Sequence, residues 1–214
     1  MKRLISSIIL LTLFFNTSKS QNIQINLYSA YAFPDAFDSY YDASDYYNGK
    51  IQGGFQWGGG LEFLVKQDYG IELLYYREDT KAPTYYWNGG EKYSNLDLGI
   101  NYIMVGGDRY FGQPSGRAQG YGGLLLGMAI TSIKNPDTGN STTPTKFAWG
   151  IRGGAVIWAT EKVGIKLQIQ LLSAVQAMGG GLYLGTGGAS AGVSAYSTFY
   201  QFGLGGGLTF KLGH

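Results

Sequence analysis

The side chains that commonly carry catalysis are scarce in this sequence. Cysteine is absent, and the single histidine, His214, is the final residue. A serine nucleophile needs a base held within hydrogen-bond reach, and a histidine at the end of a chain is poorly placed to serve as one. The sequence therefore argues against nucleophilic catalysis, and we do not expect an enzyme.

Two other stretches invite a ligand-binding interpretation, but neither completes the required pattern. The stretch PDAFDSYYDASDYYNGK carries Asp35, Asp38, Asp42 and Asp45, and their spacing differs from that of an EF-hand calcium loop. The stretch AMGGGLYLGTGGASAGVSAYS is glycine-rich, but it lacks the lysine and the following helix of a phosphate-binding loop. We favour a solvated acidic loop and a flexible external loop, and we expect no metal and no cofactor.

Charged residues recur on one face of the segments that alternate between apolar and polar residues. An unpaired buried charge is costly, so an enclosed face of this kind predicts ion pairs. We interpret the set as a plug of salt bridges inside a barrel, with a proton or ion path as the alternative, and expect Arg77 and Asp108 at the rims. The plug candidates are Glu62, Glu72, Asp97, Arg152, Lys166 and Lys211.

Aromatic residues are concentrated in two of the predicted connecting segments. Exposed aromatic patches mark contacts with partners or sugars, whereas packing between loops and a membrane-interface girdle is the simpler alternative. The candidates for external contacts are Tyr40, Tyr41, Tyr46, Tyr47, Tyr85, Tyr86 and Trp87.

The elements that position these residues are β-strands, because apolar and polar residues alternate with a period of two. In QFGLGGGLTFKL, for example, Phe202, Leu204 and Leu208 oppose Gly203, Gly205 and Gly207. The same pattern predicts strands at 22–33, 51–65, 70–77, 93–105, 117–133, 146–159, 163–172 and 198–213.

The connections between these strands alternate in length along the chain. KQDY, GGDRYFGQPSG and TEK are the shorter connections, whereas residues 34–50, 78–92, 134–145 and 173–197 form longer ones. Bacterial outer-membrane barrels have short periplasmic turns and long extracellular loops. The pattern therefore predicts an all-β fold, an eight-stranded antiparallel up-and-down transmembrane barrel with both termini on the periplasmic side.

The N-terminal residues are typical of a secretory signal peptide. Lys2 and Arg3 precede an apolar run that is too short for a membrane-spanning helix, and small residues precede Gln21. We expect residues 1–20 to be cleaved and residues 21–214 to form the barrel domain.

Cleavage removes three of the 16 basic residues and none of the 14 acidic ones. The mature chain then has no basic excess, which argues against binding nucleic acid.

Alternation alone does not decide whether the apolar face points to lipid or to a soluble core. The predicted strands at 51–65, 146–159 and 198–213 are long enough to cross a bilayer, which takes about 9–11 residues. Their opposite face is rich in glycine, as suits the narrow interior of an eight-stranded barrel. We therefore favour an outer-membrane barrel over a secreted soluble one.

The run FAWGIRGGAVIWATEKVGIKLQIQLLSA resembles paired strands of the small eight-stranded bacterial outer-membrane barrels, the OmpA/OmpX-like group. The resemblance implies localisation in the outer membrane, contact with its lipid, and assembly by the barrel-assembly machinery. Members of the group usually end on an aromatic residue, whereas here Phe210 is followed by KLGH. We therefore expect Phe210 and Leu212 to provide the C-terminal assembly signal. Related barrel enzymes use a catalytic histidine, which this chain lacks outside His214.

The function expected from these features is a structural or interaction role, with four long external loops as the contact surface. One such role is that of an accessory subunit bound to other outer-membrane proteins. The alternative is transport of small hydrophobic solutes through a lateral or loop-lined opening, as OmpW-like barrels suggest. That alternative requires large apolar residues on the inward face, and the candidates are Leu64, Leu74, Ile103, Val156 and Trp158.

Overall fold

The computed structural model describes most of the chain after the N-terminal segment. The described residues are 22–42, 45–66, 68–87, 90–113, 116–175, 181–185, 188–192 and 199–212. The predicted signal peptide, residues 1–20, lies outside them, as does His214. Within these ranges, no helix has the length and apolar character needed to cross a bilayer.

Eight long strands form one closed antiparallel sheet, which confirms the predicted barrel. They are β1 (Asn22–Ala32), β4 (Gly54–Lys66), β5 (Tyr69–Trp87), β6 (Glu91–Phe111), β7 (Ala118–Lys134), β9 (Thr145–Trp158), β10 (Val163–Val175) and β13 (Phe199–Lys211). Each pairs with its neighbour along the chain, and β1 pairs with β13 from Gln24↔Lys211 to Ala32↔Gly203. The first and last strands thus close the ring.

Within the described residues, five shorter strands lie in the connections. β2 (Asp35–Asp42) and β3 (Asp45–Ile51) form a hairpin between β1 and β4, and β8 (Ser141–Thr142) pairs with β7. β11 (Gly181–Gly185) and β12 (Gly188–Gly192) form a separate two-stranded sheet.

Two predicted external loops are β-structure instead. Residues 34–50 lie largely within β2 and β3, and residues 78–92 continue β5 and β6, which pair as far as Trp87↔Glu91. β3 joins this extension by pairing with Thr84, Tyr85 and Tyr86 of β5. Apolar alternation does not predict these strands, because it holds only where one strand face meets lipid; polar residues interrupt it in both segments, as does Pro83 in residues 78–92.

The outward face of the barrel is apolar, whereas the inward face carries both polar and apolar side chains. Exposed large apolar side chains follow alternate positions, as in Leu204 and Leu208 of β13 and Ile165, Leu167 and Ile169 of β10. The intervening residues are buried, among them Lys166, Gln168 and Gln170. A soluble barrel would place these two faces the other way round, so the partition supports a barrel surrounded by lipid.

The lipid-facing surface yields a stability prediction. Leu204 lies in the middle of β13, and we expect Leu204→Arg to lower the free energy of unfolding in lipid vesicles by about 2–4 kcal/mol, because a guanidinium there would enter the bilayer. Urea titration of protein refolded into vesicles measures this change. The matched control is Tyr93→Arg on the β5–β6 extension, where we expect a loss of at most about 1 kcal/mol. Equal losses for both variants would contradict the proposed position of the bilayer.

Candidate functional site

The half of the barrel interior near the short turns contains a cluster of five charged side chains. We call Glu62, Glu72, Asp108, Arg152 and Lys166 the interior ion-pair cluster. They come from β4, β5, β6, β9 and β10, and the alternation along each strand places them on its inward face. All five are buried, with at most 4% of any residue exposed.

Arg152 joins two of the three acids. Its guanidinium forms ion pairs with both Glu72 and Asp108, and its Nε donates to Asp108 Oδ1 at 3.0 Å. A guanidinium presents several donors in a fixed plane, which suits simultaneous binding of two carboxylates. Arg152 therefore links β5 and β6 to β9 across the interior.

Lys166 pairs with the third acid. Its Nζ lies 3.2 Å from Glu62 Oε2, and it stands over the ring of Tyr121 at 5.0 Å from the ring centre. Tyr110 donates to the other oxygen of Glu62 at 2.6 Å. Aromatic faces attract cations, so the ammonium group is held by both a carboxylate and a ring.

Tyr28 and Asn26 of β1 complete the cluster. The Tyr28 hydroxyl accepts from Arg152 and Lys166, each at 3.3 Å, and donates to Glu72 Oε1 at 2.9 Å. Asn26 donates to Glu62 at 2.9 Å and to Glu72 at 2.7 Å. Three acids face two bases, and these neutral donors stabilise the excess carboxylate, since hydrogen bonds to a charged acceptor are strong.

A second polar layer lies beyond the cluster, towards the long connections. Tyr121 donates to Gln168, which donates to Gln170 at 2.6 Å, and Gln170 donates to Gln56. In the same layer, Tyr102 donates to Gln201, which donates to the buried carboxylate of Glu78 at 2.9 Å. Through hydroxyl, amide and carboxyl groups, these two chains of hydrogen bonds together include six strands, β4, β5, β6, β7, β10 and β13.

Apolar side chains fill the interior beside these polar layers. The largest of them have 0–1% of their surface exposed: Leu74, Tyr76, Ile100, Tyr102, Met104 and Leu125. Because side chains with no accessible surface leave no room for water beside them, this part of the lumen is a packed core. Of the inward residues predicted from the sequence, Leu74 and Val156 are buried, but Ile103 points outward and is 41% exposed.

Four of the six predicted plug residues come together: Glu62, Glu72, Arg152 and Lys166. The interior prediction for Asp97 is wrong, because about half of its side chain is exposed. Its Oδ1 lies 3.7 Å from Nζ of Lys81, which is also exposed. The inward positions of β6 are occupied by the buried apolar residues Leu96, Leu98 and Ile100, so the intervening Asp97 faces outward.

Lys211 and Asp108 also lie where the sequence did not place them. Lys211 is outside the ion-pair cluster, at the rim, with its Nζ 3.7 Å from the centre of the Trp158 ring. Asp108, expected at a rim, is buried against Arg152, because β6 runs on to Phe111 instead of ending near residue 105.

The external aromatic candidates lie on the β2–β3–β5–β6 extension, which we call the projecting sheet. Tyr40 pairs with Tyr46, and Tyr47 pairs with Tyr86. Tyr85 is 48% exposed and lies against Tyr93, with ring centres 5.0 Å apart and ring planes inclined by 53°. Tyr41 and Trp87 also lie in these strands, in β2 and β5. For Tyr40, Tyr41, Tyr46, Tyr47 and Trp87, only the backbone lies within the described part of the structure.

The two C-terminal assembly candidates lie at the closing seam. Phe210 pairs with Ile25 of β1 and Val163 of β10, and Leu212 donates its backbone N–H to Ile23 at 2.8 Å. Their role in assembly remains a prediction.

Sequence reasoning missed the tyrosines and Asn26 that hold the cluster together. The alternation in QNIQINLYSA places Gln24, Asn26 and Tyr28 on one face and Ile23, Ile25 and Leu27 on the other. That signal was sufficient to find Asn26 and Tyr28. Within the described residues, no group of three or more acidic, histidine or cysteine side chains is arranged to hold a metal ion.

The ion-pair cluster yields a second stability prediction. Arg152→Met removes the cation that joins Glu72 and Asp108, so we expect it to lower the free energy of unfolding by about 3–5 kcal/mol. The comparison is Arg77→Met, which breaks the more exposed Arg77–Asp79 pair, and there we expect a loss of at most about 1 kcal/mol. Urea titration in vesicles measures both.

A compensating variant separates loss of charge balance from loss of packing. Adding Glu72→Gln and Asp108→Asn to Arg152→Met removes the unpaired charges, so most of the lost stability should return. Failure of this triple variant to recover stability would show that the packing of the guanidinium, rather than its charge, dominates.

Comparison with known proteins supports the fold. No protein-family model and no curated protein sequence matches this chain. Among solved structures, Neisserial surface protein A (NspA) has a TM-score of 0.57 and 14% identity, with 89% of this chain and 97% of that chain covered. The outer membrane protein OprG from Pseudomonas aeruginosa has a TM-score of 0.60 and 12% identity, with 92% and 98% covered. Identities this low establish only the fold, and on that evidence this chain shares the fold of small eight-stranded outer-membrane barrels.

Proposed function

We propose that this chain is a non-enzymatic β-barrel of the bacterial outer membrane with an interaction role, acting as an accessory subunit of an outer-membrane complex. The observation that carries the proposal is the projecting sheet. β5 and β6 contain 19 and 21 residues, whereas about 9–11 residues suffice to cross a bilayer. The remaining length raises paired, tyrosine-bearing strands above the lipid as an ordered surface.

The proposed position of the barrel in the membrane is inferred from the residues on its outer surface. An apolar band surrounds it, and aromatic side chains lie at both ends of the band, such as Trp57 beside Tyr75 at one end and Tyr69 and Phe111 at the other. Outer-membrane barrels carry aromatic girdles at both interfaces. The N-terminal sequence, typical of a secretory signal, agrees with this location.

The composition of the projecting sheet favours protein contact. Tyrosine is enriched in interfaces, because it combines a large apolar ring with a hydrogen-bonding hydroxyl. Tyr85 and Tyr93 form an exposed ring pair on this sheet. The extended backbone pairing orders these residues before a partner binds, which lowers the entropic cost of association.

The interior favours an interaction role over passage of solutes. The charged side chains of the interior pair with one another. The largest apolar side chains there have only 0–1% of their surface exposed. The cluster also gives no free nucleophile or general base, since Glu62, Glu72 and Asp108 are engaged by Lys166 and Arg152. These features support a filled lumen that holds the barrel rigid.

The interaction role predicts a companion protein that depends on the projecting sheet. Tagged protein purified from outer membranes in mild detergent should carry a stoichiometric partner, identified by mass spectrometry. Tyr85→Ala combined with Tyr93→Ala should reduce its recovery at least about tenfold, because central aromatic contacts contribute most of the binding free energy. The control Thr138→Ala, exposed on the β7–β9 connection, should retain the partner. A lone barrel, or a partner that is insensitive to the tyrosines, would contradict the proposal.

The alternative of solute transport makes the opposite prediction. Vesicles containing the refolded barrel should take up a small hydrophobic fluorescent solute no faster than vesicles without protein. Uptake that rises in proportion to the amount of barrel would favour transport instead.

A further inference from the structure

An open groove of about 740 Å³ lies on the outer surface, near the short-turn end of the barrel. It runs between the β4–β5 turn, β6 and β7. Its apolar walls include Val65, Ile71 and Leu124, and the last two are 50% and 65% exposed. The groove therefore opens towards the surrounding lipid rather than towards the lumen.

The groove exists because its floor has no side chains. Gly107 of β6 pairs with Ile71 on one side and Leu124 on the other, so the two apolar side chains flank bare backbone. A Cβ atom built on Gly107 would meet no atom within 4 Å. Packing within the barrel thus does not require glycine here, and a larger residue would occupy the groove.

Two basic residues stand at the turn end of the groove. Arg109 lies over the rings of Tyr69 and Phe111, 5.4 and 5.6 Å from their centres, and Lys66 is exposed beside it in the lining. The ion pairs of the described residues include neither of them. Asp108, next to Arg109, points inward to Arg152. The groove therefore has a positively charged end at the turn, and its apolar part continues from that end.

We propose that this groove binds one anionic glycerophospholipid of the leaflet at the short-turn end. Its phosphate lies against Arg109 and Lys66, and one acyl chain lies over Gly107 between Ile71 and Leu124. Basic residues next to a membrane attract anionic lipid, and the rings of Tyr69 and Phe111 place the guanidinium at the level of the headgroups.

Charge argues for lipid rather than a second copy of the barrel as the occupant. A two-fold contact brings the same surface patch of both subunits together. Such a contact across this groove would bring towards each other two Arg109 side chains, which form no ion pair among the described residues. An anionic lipid instead supplies the missing counter-charge.

Native mass spectrometry tests the proposal on the full barrel, with refolding checked by heat-dependent mobility on SDS gels. Equal amounts of phosphatidylglycerol and phosphatidylcholine are added in detergent, and we expect one phosphatidylglycerol to be retained preferentially. Arg109→Gln should lower that preference about fivefold, which corresponds to the loss of one membrane-surface cation. Gly107→Leu should lower retention of both lipids by filling the groove.

Two controls match these variants in charge and bulk. Lys162→Gln removes an exposed cation in the β9–β10 turn, and Leu204→Phe adds apolar bulk to β13 on the opposite side of the ring. Both should retain phosphatidylglycerol as the wild type does. Equal retention of the two lipids, insensitivity to both groove variants, or a two-copy assembly that Gly107→Leu disrupts would each overturn the proposal.

Discussion

The need to pair every backbone polar group determines this structure. Lipid offers no hydrogen bonds, so an open sheet edge would leave a row of unsatisfied N–H and C=O groups in hydrocarbon. The pairing of β1 with β13 removes that edge. Glycine permits this pairing, since a Cβ atom on Gly205 or Gly207 would overlap the backbone of β1. The small residues of the last strand are therefore explained by the closing seam as well as by the narrow lumen.

Closure with eight strands leaves an interior just wide enough to be filled by side chains. The chain fills it with charge at one end and with amides and apolar groups at the other. The buried charges of the ion-pair cluster are tolerated because each base pairs with an acid on a strand that is distant in sequence. Arg152 reaches Glu72, 80 residues away, and Lys166 reaches Glu62, 104 residues away. The cluster thus ties opposite walls together, while the hydroxyl of Tyr28 connects its two cations.

The sequence was sufficient to predict the strand number, the ring order and the lipid face of most strands, because lipid imposes alternation on strands that cross it. It failed where that constraint ends. Beyond the lipid, β5 and β6 continue through polar residues and Pro83, which gave no periodic signal. On β6, the buried apolar run of Leu96, Leu98 and Ile100 resembles a lipid face, which is why the inward predictions for Asp97 and Ile103 are wrong. Contacts across the lumen, such as Tyr28 with Lys166, depend on strand register, which a single sequence does not specify.

A filled and closed barrel leaves its outer surfaces as the places where other molecules can bind. At the long-connection end, paired strands extend beyond the lipid and present tyrosines on a rigid backbone. At the short-turn end, Gly107 forms part of a groove that Arg109 also lines, and Arg109 forms no ion pair among the described residues. The packed interior underlies both proposed contact surfaces, because the strands that form the projecting sheet and the groove floor are tied together across the lumen by Arg152. On the proposed function, the ion-pair cluster therefore has a structural part, that of holding together the strands whose outer surfaces would make contact.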